Sequence, residues 1–136
     1  MVDVNFNALF YVTRTLLPGM IRRGGGDVVN IGSLAGRNSF VGGTAYAGTK
    51  HAVMAFTESL MLEVRDRNVR VSVIMPGSVA TELRTAAELL GPAGDGQWML
   101  TPDDIAEAVA FVVAQPAHAS ISRVEVRPSR PPRRGA

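Results

Sequence analysis

Apolar and polar positions alternate along this chain with a period that switches repeatedly between that of a helix and that of a strand. Asp3 is suited to cap a helix that runs through Phe10, Leu16 and Leu17 to Arg22 and Arg23, where Gly24–Gly26 stops it. Pro18 is expected to bend or divide that helix near its end. Val28–Ile31 is short, β-branched and apolar, the pattern of a buried parallel strand. A Gly- and Ser-containing stretch leads to a second helix over Ala45–Arg67, with Ala52, Phe56, Leu60 and Val64 on one face. Val69–Met75 predicts a second strand, ended by Pro76 and Gly77. After a loop from Ser78 to Leu100, Thr101 with Pro102, Asp103 and Asp104 marks the start of a helix reaching Ala114, with Pro116 closing it. Ile121–Val126 is the last predicted strand.

The order α-β-α-β-α-β implies right-handed βαβ units and a parallel sheet. The expected fold class is therefore α/β: a partial Rossmann-like, doubly wound parallel sheet of three strands alternating with helices. Three strands make a thin sheet, and the first has no neighbour on its outer side. An open edge of that kind calls for a further strand. Residues 1–128 form the expected folded unit, a part of one Rossmann-type domain, and residues 129–136 a Pro/Arg-rich tail without order.

Composition narrows the function classes. The chain has 136 residues, 46% of them hydrophobic and 19% charged, which suits one globular domain. No apolar run approaches the roughly 20 residues that span a bilayer, and no basic segment with an apolar run opens the chain, so neither a membrane span nor a secretory signal is expected. With no cysteine, disulfides and thiolate chemistry are excluded, and a cytoplasmic location is the compatible expectation. The pI near 9.7 suggests nucleic acid only until the charge is placed. The last ten residues hold four arginines and no acid, so a net +2 for the whole leaves −2 for the rest. That tail carries no aromatic residue to stack a base. Nucleic-acid and membrane partners are not expected.

The chemistry concentrates in a few residues. Tyr46 and Lys50 lie four apart near the start of a helix and share a face. An ammonium beside a phenol favours the phenolate and lowers its pKa, making an acid/base able to exchange a proton with a substrate oxygen. Lys50 is the only lysine in the chain; the other 13 basic residues are arginine. Taken alone, the pair also suits a surface contact. Ser33 follows the first strand and stands at its carboxyl end, where open α/β sheets bind ligands. Its hydroxyl is suited either to polarise a carbonyl or to cap a turn. Pro76 and Gly77 occupy the equivalent end of the next strand, as a close approach to a ligand or as a plain strand stop. Asn5 suits a cap or a polar site residue. Phe6, Phe10, Phe40 and Phe56 are expected in the core or an interface. His51 and His118 have no neighbouring ligands, so no metal site is expected.

In combination these residues resemble the short-chain dehydrogenase/reductase family, from about Val2 to Pro128. Val4-Asn5 followed by Ala8-Leu9-Phe10 resembles the segment of the family's catalytic asparagine. Val29-Asn30-Ile31-Gly32-Ser33 resembles the strand that delivers its serine. Tyr46-Ala47-Gly48-Thr49-Lys50 is similar to the Tyr-x-x-x-Lys signature and falls 13 positions after Ser33. Pro76-Gly77-Ser78-Val79-Ala80-Thr81 resembles the segment beside the nicotinamide. The resemblance implies an NAD(P)-dependent oxidoreductase acting on a small carbonyl or alcohol substrate. Tyr46 would be the acid/base. Lys50 would depress its pKa and bind the nicotinamide ribose. Ser33 would orient the carbonyl, and Asn5 would hold a relay water. Pro76, Gly77, Val79 and Thr81 would contact the cofactor, and Glu82–Leu100 would be a mobile lid over the substrate. The first two helices resemble those that pair in the family's oligomers, implying a homodimer or tetramer. Thr101–Pro128 resembles a subgroup acting on small 3-hydroxy acids, which favours NADP over NAD.

One departure is large. The glycine-rich turn that seats a pyrophosphate after the family's first strand does not occur in this sequence, because Gly24–Gly26 follows a helix and precedes a strand. The expectation is thus a C-terminal catalytic half whose cofactor-binding N-terminal half is missing. Two other readings stay open: an inactive remnant acting as a dimerisation or interaction module, and an unrelated small α/β binding domain.

Overall fold

The computed structural model describes residues 1–81 and 98–131. A π-helical turn over Asp3–Asn7 leads into α1 (Ala8–Arg22), followed by β1 (Gly26–Ile31), α2 (Thr44–Val64), β2 (Val69–Pro76), α3 (Pro102–Val113) and β3 (Arg123–Val126). The strands form one parallel sheet in the order β1-β2-β3. Gly26 pairs with Val69 at one end of the β1–β2 ladder and Ile31 with Ile74 at the other, while Val73–Pro76 pair with Arg123–Val126. The expected α/β alternation is present.

β2 is the central strand and is buried along nearly its whole length, as a parallel strand covered on both faces must be. Leu60 and Val64 of α2 pack on Val69 and Val71, with Leu17, Met20 and Ile21 of α1 closing the cluster. A second cluster joins Met54 to Val73 and Met75, with Leu34 against it. Polar groups inside this core are paired. Asn30 Nδ2 donates to Thr57 Oγ1 at 2.9 Å, and that hydroxyl donates to the Val53 carbonyl at 2.7 Å. Arg70, a charged residue in the central strand, holds both carboxylate oxygens of Asp27. It also donates to the carbonyls of Val113, the last residue of α3, and of Gln115 and Ala119 beyond it.

Several expectations are corrected. Asp3 does not cap the first helix: Val2 is already helical, and the Asp3 carboxylate accepts from Asn7 Nδ2 at 2.7 Å inside the first turn. Pro18 does not divide α1, which runs from Ala8 to Arg22 around it. A missing N–H near the end of an exposed helix forfeits one hydrogen bond to a carbonyl that water can reach. Phe6 and Phe56 meet edge to face at 6.1 Å and are half-buried. Phe10 and Phe40 lie on the surface, 42% and 47% exposed. α2 ends in a 3-10 turn over Arg65–Arg67, and Asn68 turns the chain in the left-handed region at φ 57°. Gly25 passes so close to that turn that a Cβ there would stand 2.5 Å from the Asn68 carbonyl oxygen, so only glycine fits.

Thr101 caps α3 as predicted. Its Oγ1 accepts from the Asp104 amide, and the Asp104 carboxylate accepts from the Thr101 amide at 2.7 Å, a complete capping box. That hydrogen bond holds the Asp104 carboxyl below its usual range. Leu100 pairs with Val79 in an isolated parallel bridge, tying together the two ends of the intervening segment. Residues 82–97 of the predicted lid lie outside the described residues, as does the tail beyond Pro131. Among the described residues no strand pairs with the outer edge of β1, and Ile31 at its end is 47% exposed.

Candidate active site

The site forms where the carboxyl end of β1 meets the first turns of α2. Beyond Ile31 the chain runs extended through Ser33 and tightens into a 3-10 turn at Leu34–Gly36. Ser33 caps that turn, its Oγ accepting from the Ala35 amide at 3.1 Å. The capping function is therefore real, and the hydroxyl proton remains free to donate elsewhere. Gly36 lets the turn lie directly on α2, since a Cβ there would come within 2.8 Å of the Lys50 carbonyl oxygen.

On the facing side, Lys50 reaches back under Tyr46. Its Nζ lies 5.8 Å from the centre of the Tyr46 ring and donates to the Ile31 carbonyl at 3.2 Å. The strand that precedes Ser33 is thereby joined to the helix that carries Tyr46. Burial pushes the Lys50 ammonium below its usual value, because a charge withdrawn from water is disfavoured. A lysine so shifted holds its proton less tightly, which suits a group that takes part in proton transfer.

Asn5 enters from the opposite direction. Its Nδ2 donates to Thr49 Oγ1 at 3.0 Å, and Thr49 Oγ1 donates to the Tyr46 carbonyl at 2.8 Å. Asn5, 41 positions before Tyr46 in the sequence, is thus tied to the same helical turn. His51, next to Lys50, spends its Nδ1 on the Ala47 carbonyl at 2.8 Å.

The end of β2 borders this group. Gly77 donates its amide to the Val126 carbonyl at 2.8 Å, and a Cβ at Gly77 would lie 3.3 Å from Leu34, the residue after Ser33. Val79 pairs with Leu100, and Thr81 is exposed at the limit of the described stretch. On the same side, Glu125 accepts from Arg127 at 2.9 Å and from Arg37 at 2.6 Å, bracing the turn after Ser33 against β3. These two partners, Arg127 first, hold the Glu125 carboxyl below its usual range.

The structure therefore joins Asn5, Tyr46 and Lys50 through named contacts, and sets Ser33 two residues from the carbonyl that Lys50 holds. Pro76 and Gly77 adjoin the Ser33 turn. Sequence reasoning passed over Thr49 and Gly36. The signal for Thr49 was its place three residues after Tyr46 inside the motif; Gly36 offered none beyond being a glycine after the serine.

The fold is a parallel α/β sheet with a tyrosine–lysine turn at the carboxyl ends of its strands, the arrangement that the sequence resemblance implies. Comparison with known proteins agrees: residues 1–89 match the short chain dehydrogenase family, and the chain belongs to it. It is 40% identical over 134 residues to the NADP-dependent 3-hydroxy acid dehydrogenase YdfG of Salmonella typhi, covering 94% of this chain and 54% of that protein. Among solved structures, the closed form of serine dehydrogenase complexed with NADP+ superposes with a TM-score of 0.81 at 38% identity, covering 93% of this chain and 53% of the other. A short-chain type dehydrogenase/reductase from Mycobacterium ulcerans gives 0.82 at 27% identity, with 93% and 49% covered. The chain spans about half the length of the relatives it matches.

Proposed function

We propose that this chain carries the catalytic portion of an NADP-dependent oxidoreductase that interconverts a small alcohol, of the hydroxy-acid class, and its carbonyl form. The observation that carries the proposal is the placement of Lys50, desolvated beneath the Tyr46 ring and hydrogen-bonded to the strand end that leads to Ser33.

Tyr46 is the acid/base: its phenolic oxygen gives a proton to the carbonyl oxygen in reduction and takes it back in oxidation. Lys50 favours the phenolate by its charge. Ser33 donates its free hydroxyl proton to the same carbonyl oxygen and fixes the substrate's orientation. Asn5 holds the water that links Lys50 to solvent. General acid–base assistance of this kind is worth about 10²–10⁴-fold.

The donor set fits the nicotinamide end of a dinucleotide. The Lys50 ammonium has three donors and spends one on Ile31, leaving two for ribose hydroxyls. Pro76, Gly77, Val79 and Thr81 stand beside the Ser33 turn to receive the nicotinamide. When bound, the cofactor supplies or accepts the hydride. The described residues contain no glycine-rich strand–turn–helix to seat a pyrophosphate, so that seat belongs to the other half of the fold, paired along the open edge of β1. The names of the relatives support NADP over NAD and hydroxy-acid substrates. Exposed Phe10, Tyr11, Val12 and Leu16 on α1 support a homo-oligomer built through this helix.

Tyr46→Phe tests the assignment in an NADPH-coupled carbonyl reduction assay. The expected result is a fall in kcat of at least about a hundredfold, with NADPH affinity by fluorescence titration nearly unchanged. Full turnover by the variant would sink the proposal. Absence of NADPH binding by the folded chain would favour the inactive interaction module instead.

A further inference from the structure

We infer that Asn30 and Thr57 form a positioning pair: their hydrogen bond sets how α2 is turned against β1, and so where Tyr46 and Lys50 stand relative to Ser33. The inference rests on the proposed roles of those three residues and gives two buried polar residues a part in the reaction.

The link is buried and has one direction. Asn30 and Thr57 are 4% and 3% exposed. The Thr57 hydroxyl has one proton, which goes to the Val53 carbonyl one turn back at 2.7 Å. Toward Asn30 the Thr57 oxygen is therefore an acceptor, and Asn30 Nδ2 donates to it at 2.9 Å. Away from water such a bond is strong, and breaking it strands a buried donor.

The apolar contacts of α2 are less selective. Leu60 and Val64 pack on Val69 and Val71, and Met54 on Val73 and Met75, all of them residues of β2. Such contacts are non-directional and tolerate a small rotation. Ser33, however, follows β1. Among the described residues α2 hydrogen-bonds β1 at two points, Thr57 with Asn30 and Lys50 with the Ile31 carbonyl. The Lys50 link runs through a long flexible stem, whereas Asn30 and Thr57 are short and leave little play. A polar pair set in an apolar interface fixes register in just this manner.

Tyr46, Lys50, Val53 and Thr57 are spaced i, i+4, i+7 and i+11, one stripe of α2. The rotation that seats Thr57 on Asn30 therefore turns Tyr46 and Lys50 with it. A turn of about 20° would carry a side-chain tip about 2 Å, for a helix about 5–6 Å in radius with its side chains. Misplacing a reacting group by about 1 Å costs about a hundredfold in rate.

Asn30→Leu keeps the branched shape and removes the donor, while the Thr57 hydroxyl retains its bond to Val53. Thr57→Val removes the acceptor; Thr57→Ser keeps it. Lys50 is the only lysine, so lysine labelled with carbon-13 at its ε carbon gives one NMR signal, whose titration reads that ammonium without cofactor or turnover. In the parent, burial holds its pKa below the ordinary value. With α2 free to turn, the ammonium gains water. Asn30→Leu and Thr57→Val, confirmed folded by circular dichroism, should therefore titrate at higher pH, and the double variant no higher than either. Thr57→Ser should titrate as the parent does. So should Ile74→Val, which weakens the core of β2 and lowers the urea midpoint without touching the pair. An unchanged titration in folded Asn30→Leu, or an equal shift in Ile74→Val, would overturn the inference. Should Asn30→Leu not fold, Thr57→Val decides in the same way. In the reduction assay, Asn30→Leu should lower kcat about ten- to a hundredfold at unchanged KM, with Thr57→Ser near the parent. The proposed function fails separately, by full turnover of Tyr46→Phe, and the Lys50 titration decides the role of the pair in either case.

Discussion

Two glycines near the site predict opposite responses to the same substitution. At Gly36 a new Cβ would stand 2.8 Å from the Lys50 carbonyl oxygen and 2.8 Å from Met54 Cγ. The Met54 side chain can swing aside, but the carbonyl belongs to the backbone of α2 and cannot. A comfortable carbon–oxygen contact is about 3.3 Å, so the turn carrying Gly36 must retreat by about 0.5 Å. Overpacking of this kind costs about 1–3 kcal/mol. Alanine also restricts the unfolded chain, which returns about 0.4–1 kcal/mol. The clash wins, and Gly36→Ala should destabilise by about 1–2 kcal/mol. Gly48 lies in α2, and a Cβ added there would meet no atom within 4 Å. There only the helix preference acts, and Gly48→Ala should stabilise by up to about 1 kcal/mol. Urea denaturation followed by circular dichroism measures both, with midpoints moving in opposite directions around the parent. For a chain of this size each kcal/mol moves Tm by about 4 °C. If Gly36→Ala is as stable as Gly48→Ala, the close seating of the Ser33 turn on α2 is refuted. The retreat also pulls Ser33 away from Lys50, so Gly36→Ala should lower turnover while Gly48→Ala leaves the fold of that turn alone.

Ile74→Ala, at a fully buried position in the central strand, should cost about 2–5 kcal/mol in the same denaturation assay, against about 0.5–1.5 for Ile74→Val. Equal, small losses would mean that the sheet is not packed on both faces. Thr101→Ala removes the α3 cap and should cost about 0.5–2 kcal/mol; a cost near zero would discount the capping box. Glu125 and Asp104 have folded pKa values below their ordinary 4.5 and 3.8, so the unfolded chain binds protons first as pH falls. Their stabilisation is complete above those ordinary values and is lost as pH drops through the lowered ones. The urea midpoint should fall across that acid window, and less steeply in Glu125→Gln; the same slope in both proteins would exclude Glu125 as a source.

The elements were legible because their signals are local. A β-branched run at Val28–Ile31 and another at Val69–Met75, each stopped by glycine or proline, need no distant residue to be read as strands. The same holds for the cap at Thr101, where hydroxyl, proline and acids stand within four positions. Asp3 misled for the complementary reason. It is a good capping residue, but the helix begins one residue earlier and its carboxylate is taken by Asn7. Phe10 and Phe40 carry an apolar signal that says nothing about what covers them.

The sequence by itself determined the alternation of helices and strands, the parallel character of the sheet and the residue types able to carry proton chemistry, since period, turn residues and motif spacing are written along the chain. Only the tertiary structure decided how those residues meet. It put the Lys50 ammonium on the Ile31 carbonyl, turned the Asn5 amide toward Thr49, and wrapped Asp27 and the carbonyls beyond α3 around Arg70. Each of these joins residues at least 19 positions apart, through hydrogen bonds whose direction depends on packing that no local pattern encodes.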